Sequence, residues 1–166
     1  IGLALAGMPT VVEIEFFDFL TLASDALVNQ AAKMRSFFGG QVQVPLVVRT
    51  PIVNRLGLGP QHSQSLEAWF MHIPGLNVII PSNAADANGL IITAVRNGNP
   101  TLFIENVRLY GKKDEVPEGN NPIPLGKLRI ARAGGDITIV TYSGMVGPSL
   151  EAATALENSG IDCEVL

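Results

Sequence analysis

Three apolar, β-branched runs set the terms for this chain: Val44-Pro45-Leu46-Val47-Val48-Arg49, Asn77-Val78-Ile79-Ile80 and Thr101-Leu102-Phe103-Ile104-Glu105. None alternates apolar with polar residues, so each needs cover on both faces, as strands inside a parallel sheet do. The stretches between them carry helical spacing instead. Leu20, Ala23, Leu27, Ala31, Met34 and Phe38 recur every three or four residues, which predicts one helix capped by Asp18 and stopped by Gly39-Gly40. Its other face, with Thr21, Asp25, Asn29, Gln30 and Lys33, is left for solvent. A second helix is expected to begin at His62 and end at Pro74-Gly75. A third opens with Ser82 and Asn83 as caps and Asp86 at the N3 position of the latter. It buries Ala87, Leu90, Ile91, Ala94 and Val95 until Asn97-Gly98-Asn99-Pro100 stops it. Upstream, residues 1–7 read as the end of a packed helix closed by Gly7, and Val11-Val12-Glu13-Ile14 as a short strand. Strands alternating with helices of this length define an α/β fold on a parallel sheet.

From Tyr110 to Pro124 the pattern lapses into a polar linker broken by Pro117, Gly119 and Pro122. Beyond it, Asp136 to Tyr142 reads as a strand, Ser143-Gly144 as a turn, and a helix runs from about Pro148 to Gly160. Ile161 to Leu166 then begins another strand. The expected organisation is a first domain over residues 1–110, a linker over 111–124, and the start of a second α/β domain over 125–166.

Composition narrows the partners. Charged residues are 16% of the chain and hydrophobic ones 47%, against a usual charged share of roughly 25%. No apolar run approaches the roughly 18 residues of a membrane span, so the excess points to protein interfaces. The net charge is −4 and the largest basic cluster is Lys112-Lys113, which argues against nucleic acid and against a membrane surface. The lone Cys163 excludes an internal disulfide framework and fits a reducing compartment, cytoplasm or organelle matrix. The chain opens on Ile1 within a small-residue run and stops at Glu164-Val165-Leu166 as a new apolar run begins, so it is expected to be an internal piece of a longer protein.

Familiar catalytic motifs are missing. There is no P-loop, and no GxGxxG opens a helix. His62 and His72 have no carboxylates at ligand spacing, and Ser143-Gly144 lacks a nucleophile-elbow setting. What stands out is Gly57-Leu58-Gly59-Pro60-Gln61-His62, a loop whose backbone can approach a ligand and which delivers a histidine. By itself His62 reads either as a general acid–base or as a capping or packing residue.

Longer blocks carry a resemblance. Val11-Val12-Glu13-Ile14-Glu15-Phe16-Phe17-Asp18-Phe19, Asn29-Gln30-Ala31-Ala32-Lys33, Gly39-Gly40-Gln41 and Val44 through Pro51 run in one register with Gln61-His62-Ser63-Gln64-Ser65, His72-Ile73-Pro74-Gly75-Leu76 and Asn99-Pro100. Together they resemble the β chain of the thiamine-diphosphate-dependent 2-oxo-acid dehydrogenases, a group that includes the decarboxylating components of the pyruvate, branched-chain 2-oxo-acid and acetoin dehydrogenase complexes. The resemblance implies a parallel-sheet pyrimidine-binding domain followed by the start of a transketolase C-terminal-like domain. It implies decarboxylation of a 2-oxo acid on thiamine diphosphate and acyl transfer to a lipoyl domain. The implied partners are an α subunit in an α2β2 heterotetramer, a second β subunit and a lipoyl-bearing acyltransferase core. In the family the α chain holds the Mg²⁺ and the diphosphate.

Site residues follow by position. Phe19 matches the aromatic side chain that packs on the aminopyrimidine, where the plainer reading is a core Phe at a helix start. Glu15 falls where relatives place Gln or Met beside the same ring, and His62 matches the active-site histidine near the thiazolium. A structural K⁺ site of mostly backbone carbonyls maps to Leu46, Ala94, Val95, Asn97 and Asn99, with Asn97 where relatives often carry Asp; an ordinary Asn-Gly helix stop is the competing reading. Two departures stand out. The glutamate that activates the cofactor would lie upstream of Ile1, so these residues alone are expected to be inactive. Ile52-Val53-Asn54-Arg55-Leu56 replaces a stretch that is usually glycine-rich, with Arg55 at the mouth of the site. A sugar-acting enzyme of the transketolase group and a non-catalytic assembly module are the alternatives.

Overall fold

A computed structural model describes residues 1–54 and 56–166; Arg55 lies outside the described residues. A four-stranded parallel sheet forms the first unit, in the order β1-β2-β4-β3. Its strands are β1 (Thr10–Glu13), β2 (Leu46–Ile52), β3 (Asn77–Ile79) and β4 (Thr101–Asn106). A short helix α1 (Gly2–Leu5) precedes β1, with Ala4 in the core. The two most apolar runs occupy the middle: β2 and β4 pair from Val47↔Thr101 to Ile52↔Asn106 and are buried along nearly their whole length. The Asn77 run, expected to be as fully buried, is an edge strand of three residues with only Ile79 buried.

Handedness decides which face each helix covers. The chain moves in one direction from β1 to β2 to β3, then steps back to insert β4 between β2 and β3. A right-handed crossover run backwards crosses the opposite face. Accordingly the segment between β1 and β2, with α3 (Glu67–Met71), packs Leu27, Ala31, Leu66 and Phe70 against Val48, Leu102 and Ile104. Helix α4 (Ala84–Arg96) instead puts Ala94 against Val47, Ile79 and Phe103 on the other face. Its Asn83 cap forms as expected, Oδ1 accepting from the Asp86 amide at 2.7 Å.

The segment between β1 and β2 departs from the single helix predicted. It winds as a 3₁₀ helix over Phe17–Ala23, a π helix over Ala26–Ala31 and an α-helix, α2, over Ala32–Phe37. In the 3₁₀ turn residues three apart share a face. Phe17 and Leu20 go fully into the core, leaving Phe16 half-buried, Phe19 exposed and Leu22 90% exposed. The π turn brings Gln30 round beneath Asp25, whose carboxylate accepts from Asn29 at 2.7 Å and from Gln30 at 3.1 Å. Both bonds hold the exposed Asp25 carboxyl below its usual range, Asn29 contributing most. Asp18 lies inside the 3₁₀ turn and caps nothing. Phe38 falls just past the end of α2 and is exposed, although its spacing predicted burial.

The chain between residues 107 and 136 has a single 3₁₀ turn, Val107–Leu109, and no longer regular element. It is tied to α4 by Ile123 N–H donating to Gly89 O at 3.2 Å and by Thr93 Oγ1 donating to Ile123 O at 2.7 Å. The second unit is one β-α-β turn of the expected kind. β5 (Ile137–Ile139) pairs in parallel with β6 (Cys163–Val165), and α5 (Val146–Glu157) packs Ala153 on Cys163 and Val165. Tyr142 OH donates to Glu67 Oε1 at 3.0 Å, joining the two units behind α3. No helix among the described residues is long and apolar enough to cross a membrane.

Candidate functional site

The site grows out of the end of β1. After Ile14, whose N–H donates to Arg49 O at 2.9 Å, the chain bends at Glu15 and Phe16 and then tightens into the 3₁₀ turn. Because Phe17 and Leu20 anchor that turn, Phe16 and Phe19 are presented together on its outer side, their ring centroids 5.6 Å apart at 65°. His62 arrives from the β2–α3 loop. Its ring meets Phe16 at 4.8 Å and 88°, and Phe19 at 5.2 Å and 79°. All three contacts are edge-to-face, the arrangement the ring quadrupoles favour.

The predicted helix start at His62 does not form. α3 begins five residues later at Glu67, and His62 sits in a turn with its N–H 3.3 Å from Gly59 O. The loop is held by Asp18, 5% exposed, whose Oδ1 accepts from the Gln64 amide at 3.1 Å and from Gln64 Nε2 at 2.8 Å. A buried carboxylate is stable only when donors replace the water it loses, and Gln64 supplies two.

Phe19 and His62, singled out from the sequence, are thus in contact, and Phe19 keeps 41% of its surface exposed beside a half-buried imidazole. Glu15 is exposed just before the cluster. Phe16 and the Asp18–Gln64 pair were not singled out. The visible trace was Phe16 and Phe19 three residues apart, which reads as one face only once the turn is known to be 3₁₀.

Of the positions proposed for a cation, Asn97 and Asn99 are in direct contact. Leu46 opens β2 two residues after Val44, whose N–H donates to Gly98 O just past the end of α4 at 3.0 Å. The side-chain oxygens there are already engaged. Asn97 Oδ1 accepts from Asn99 N at 3.1 Å and Nδ2 at 2.8 Å, and Asn99 Oδ1 accepts from the Arg35 guanidinium at 3.2 Å. A cation would therefore depend on main-chain carbonyls, the Asn99 one already accepting from Thr101 Oγ1 at 3.2 Å. Among the described residues no three His, Cys, Asp or Glu side chains gather to bind a metal.

A second polar cluster lies on the opposite face of the sheet. Arg49 makes a bidentate pair with Glu105, at 2.7 and 3.0 Å, and reaches Glu13 at 3.3 Å; Tyr110 OH donates to Glu105 at 2.7 Å. The hydrogen bond to Glu105 keeps Arg49 more firmly protonated, and burial followed by the same carboxylate raises the Tyr110 phenol above its ordinary range. A cavity of about 580 Å³ adjoins this cluster beside Phe103 and Ile91. It does not reach the ring site. The ring cluster holds two positions followed from the sequence, Phe19 and His62, together with Phe16.

Fold and rings define the class: an α/β parallel-sheet protein presenting an aromatic platform and an imidazole from loops beside the sheet. Residues 1–113 match the transketolase, pyrimidine binding domain family, and residues 126–166 match the transketolase, C-terminal domain family. This chain belongs to the transketolase pyrimidine-binding family, here followed by the beginning of the C-terminal domain. It is 45% identical, over all of its 166 residues, to the β subunit of acetoin:2,6-dichlorophenolindophenol oxidoreductase from Cupriavidus necator, covering 49% of that protein. It is also 45% identical to the pyruvate dehydrogenase E1 component subunit beta of Rickettsia felis, covering 51% of it. The chain therefore spans about half the length of these relatives. Its fold is similar to a split-gene transketolase solved as an inactive β4 tetramer, with a TM-score of 0.81 at 21% identity over 99% of this chain and 50% of that one.

Proposed function

We propose that this chain carries the pyrimidine-facing part of the β subunit of a 2-oxo-acid dehydrogenase's decarboxylating component. The observation behind the reading is the contact between His62 and the exposed ring of Phe19 at 5.2 Å, in a chain 45% identical to the β subunits of an acetoin:2,6-dichlorophenolindophenol oxidoreductase and of a pyruvate dehydrogenase E1 component. Thiamine diphosphate, when bound, supplies the electron sink a 2-oxo acid needs to lose carbon dioxide. The aromatic face of Phe19 is the platform for its aminopyrimidine, with stacking contributing about 0.5–1.5 kcal/mol beyond burial. Phe16 backs both Phe19 and His62, and Glu15, exposed just before them in the chain, is the position assigned to the edge of the aminopyrimidine. His62, partly shielded from water yet reachable, moves protons and orients the substrate or lipoyl group. The diphosphate and Mg²⁺ fall to an α subunit, and a K⁺ ion, if held, sits on the carbonyls of Leu46, Ala94, Val95, Asn97 and Asn99.

The assembly is an α2β2 heterotetramer that hands its acyl group to a lipoyl-bearing acyltransferase core. Exposed Leu22, Phe37, Phe38 and Trp69 are the surface a neighbouring subunit would cover. Residues 1–110 serve as the pyrimidine-binding domain, 111–124 as linker and 125–166 as the start of the next domain, in cytoplasm or an organelle matrix. The test is acyl transfer to lipoamide by the full-length β chain assembled with its α partner. His62→Ala is expected to lower it about 10²–10⁴-fold; an unchanged rate sinks the role of His62. A complex that fails to bind thiamine diphosphate in a calorimetric titration would favour a non-catalytic module.

A further inference from the structure

We propose that Asp18 is a positioning residue, its carboxylate setting the His62 imidazole against Phe19 by way of Gln64. The proposal rests on the reading of Phe19 and His62 as the cofactor-facing pair. Asp18 is covalently next to Phe19, so the 3₁₀ turn that orients the ring also orients the carboxylate. Both donors to its Oδ1 belong to Gln64, two residues after His62. One oxygen atom therefore ties together the two segments that build the site.

Little else fixes the loop at that point. Residues 53–66 contain no helix or strand among those described, and Ser63 Oγ is buried without a hydrogen-bond partner. Among the described residues, the side-chain hydrogen bonds that anchor residues 57–64 to the rest of the chain are the two from Gln64 to Asp18. Leu66 enters the core only two residues beyond Gln64 and fixes where the loop ends, not where the imidazole points. Because Asp18 is almost fully buried, losing both Gln64 donors leaves its Oδ1 without a protein partner, which favours the closed loop. Edge-to-face ring contacts alone are worth about 0.5–1.5 kcal/mol each and leave the imidazole free to slide along the Phe16 and Phe19 rings.

Histidine NMR tests this without relying on catalysis, since the chain has two histidines and His72, exposed and outside the ring cluster, is an internal reference. In the unsubstituted chain His62 ring protons should show ring-current shifts and an Overhauser effect to Phe19. In Asp18→Ala and in Gln64→Ala, at temperatures where circular dichroism shows the fold intact, both signatures should be lost while His72 stays in place. Asp18→Asn keeps an acceptor oxygen and should retain most of them. Gln64 is exposed, so its truncation keeps the test open if Asp18→Ala does not fold. Unchanged His62 signals in a folded Gln64→Ala chain overturn the proposal and reduce Asp18 to a stabilising contact. In the full-length enzyme with its α partner, Gln64→Ala should lower kcat about 10–100-fold with KM for the 2-oxo acid little changed. If the NMR signatures are lost but His62→Ala leaves acyl transfer intact, the positioning stands and the catalytic reading falls.

Discussion

Gly75 closes the turn after α3, and its environment makes a sharp test of how that helix is docked. Its φ is +92°, in the region an L side chain rarely adopts, and a Cβ placed there would lie 2.1 Å from the main-chain oxygen of Ala32. That is more than about 1 Å inside ordinary contact, and a backbone carbonyl cannot swing aside as a side-chain tip can. Gly75→Ala thus carries two costs: about 1–2 kcal/mol for the left-handed backbone and about 1–3 kcal/mol for forcing α2 and α3 apart. Gly40→Ala isolates the first cost, because Gly40 has φ +84° and open space around it. At about 2–4 °C per kcal/mol for a chain of this size, Gly75→Ala should lower Tm by roughly 5–15 °C and Gly40→Ala by roughly 2–8 °C. Thermal unfolding followed by far-ultraviolet circular dichroism measures both, with Trp69 fluorescence reporting on α3 itself. Equal losses in the two variants would refute the close approach of Gly75 to Ala32.

Burial, not residue type, should govern the leucines: Leu102→Ala, fully buried in β4, is expected to cost about 2–5 kcal/mol in urea unfolding, and Leu22→Ala, 90% exposed in the isolated chain, less than about 0.5 kcal/mol. Both tyrosines should ionise late. Burial and the Glu105 carboxylate raise Tyr110, and burial and the Glu67 carboxylate raise Tyr142, each above the ordinary 10.0. Because the folded values exceed the unfolded one, their contribution to stability is complete below about pH 10 and lost as pH rises through the folded values. Absorbance titration should show less tyrosinate at pH 10 in the native chain than in urea, where about half is expected. Replacing both tyrosines with Phe should flatten the alkaline loss of stability, and an unchanged slope would count against these contacts.

Much of this fold was legible along the chain because the signals were local. Continuous β-branched runs marked β2 and β4, Asn83 with Asp86 marked the start of α4, and Asn97 to Pro100 marked its end. Each depends on neighbours within a few residues. The segment after β1 was harder, since apolar residues three and four apart serve a 3₁₀, an α or a π helix about equally well at this length. Long-range contacts settled the winding: Phe17 and Leu20 lock into a core made with Leu102 and Ile104, and Gln64 takes the Asp18 carboxylate. The same contacts shortened α3 and left His62 in a turn. Local sequence therefore marked the strands and both ends of α4, and pointed to Phe19 and His62 as the residues to follow, whereas the cap assigned to Asp18 and the helix start assigned to His62 were not borne out. Only the tertiary structure decided that Phe16 joins them and that Asp18 binds the two loops together. Those contacts span more than forty residues, and no local periodicity records them.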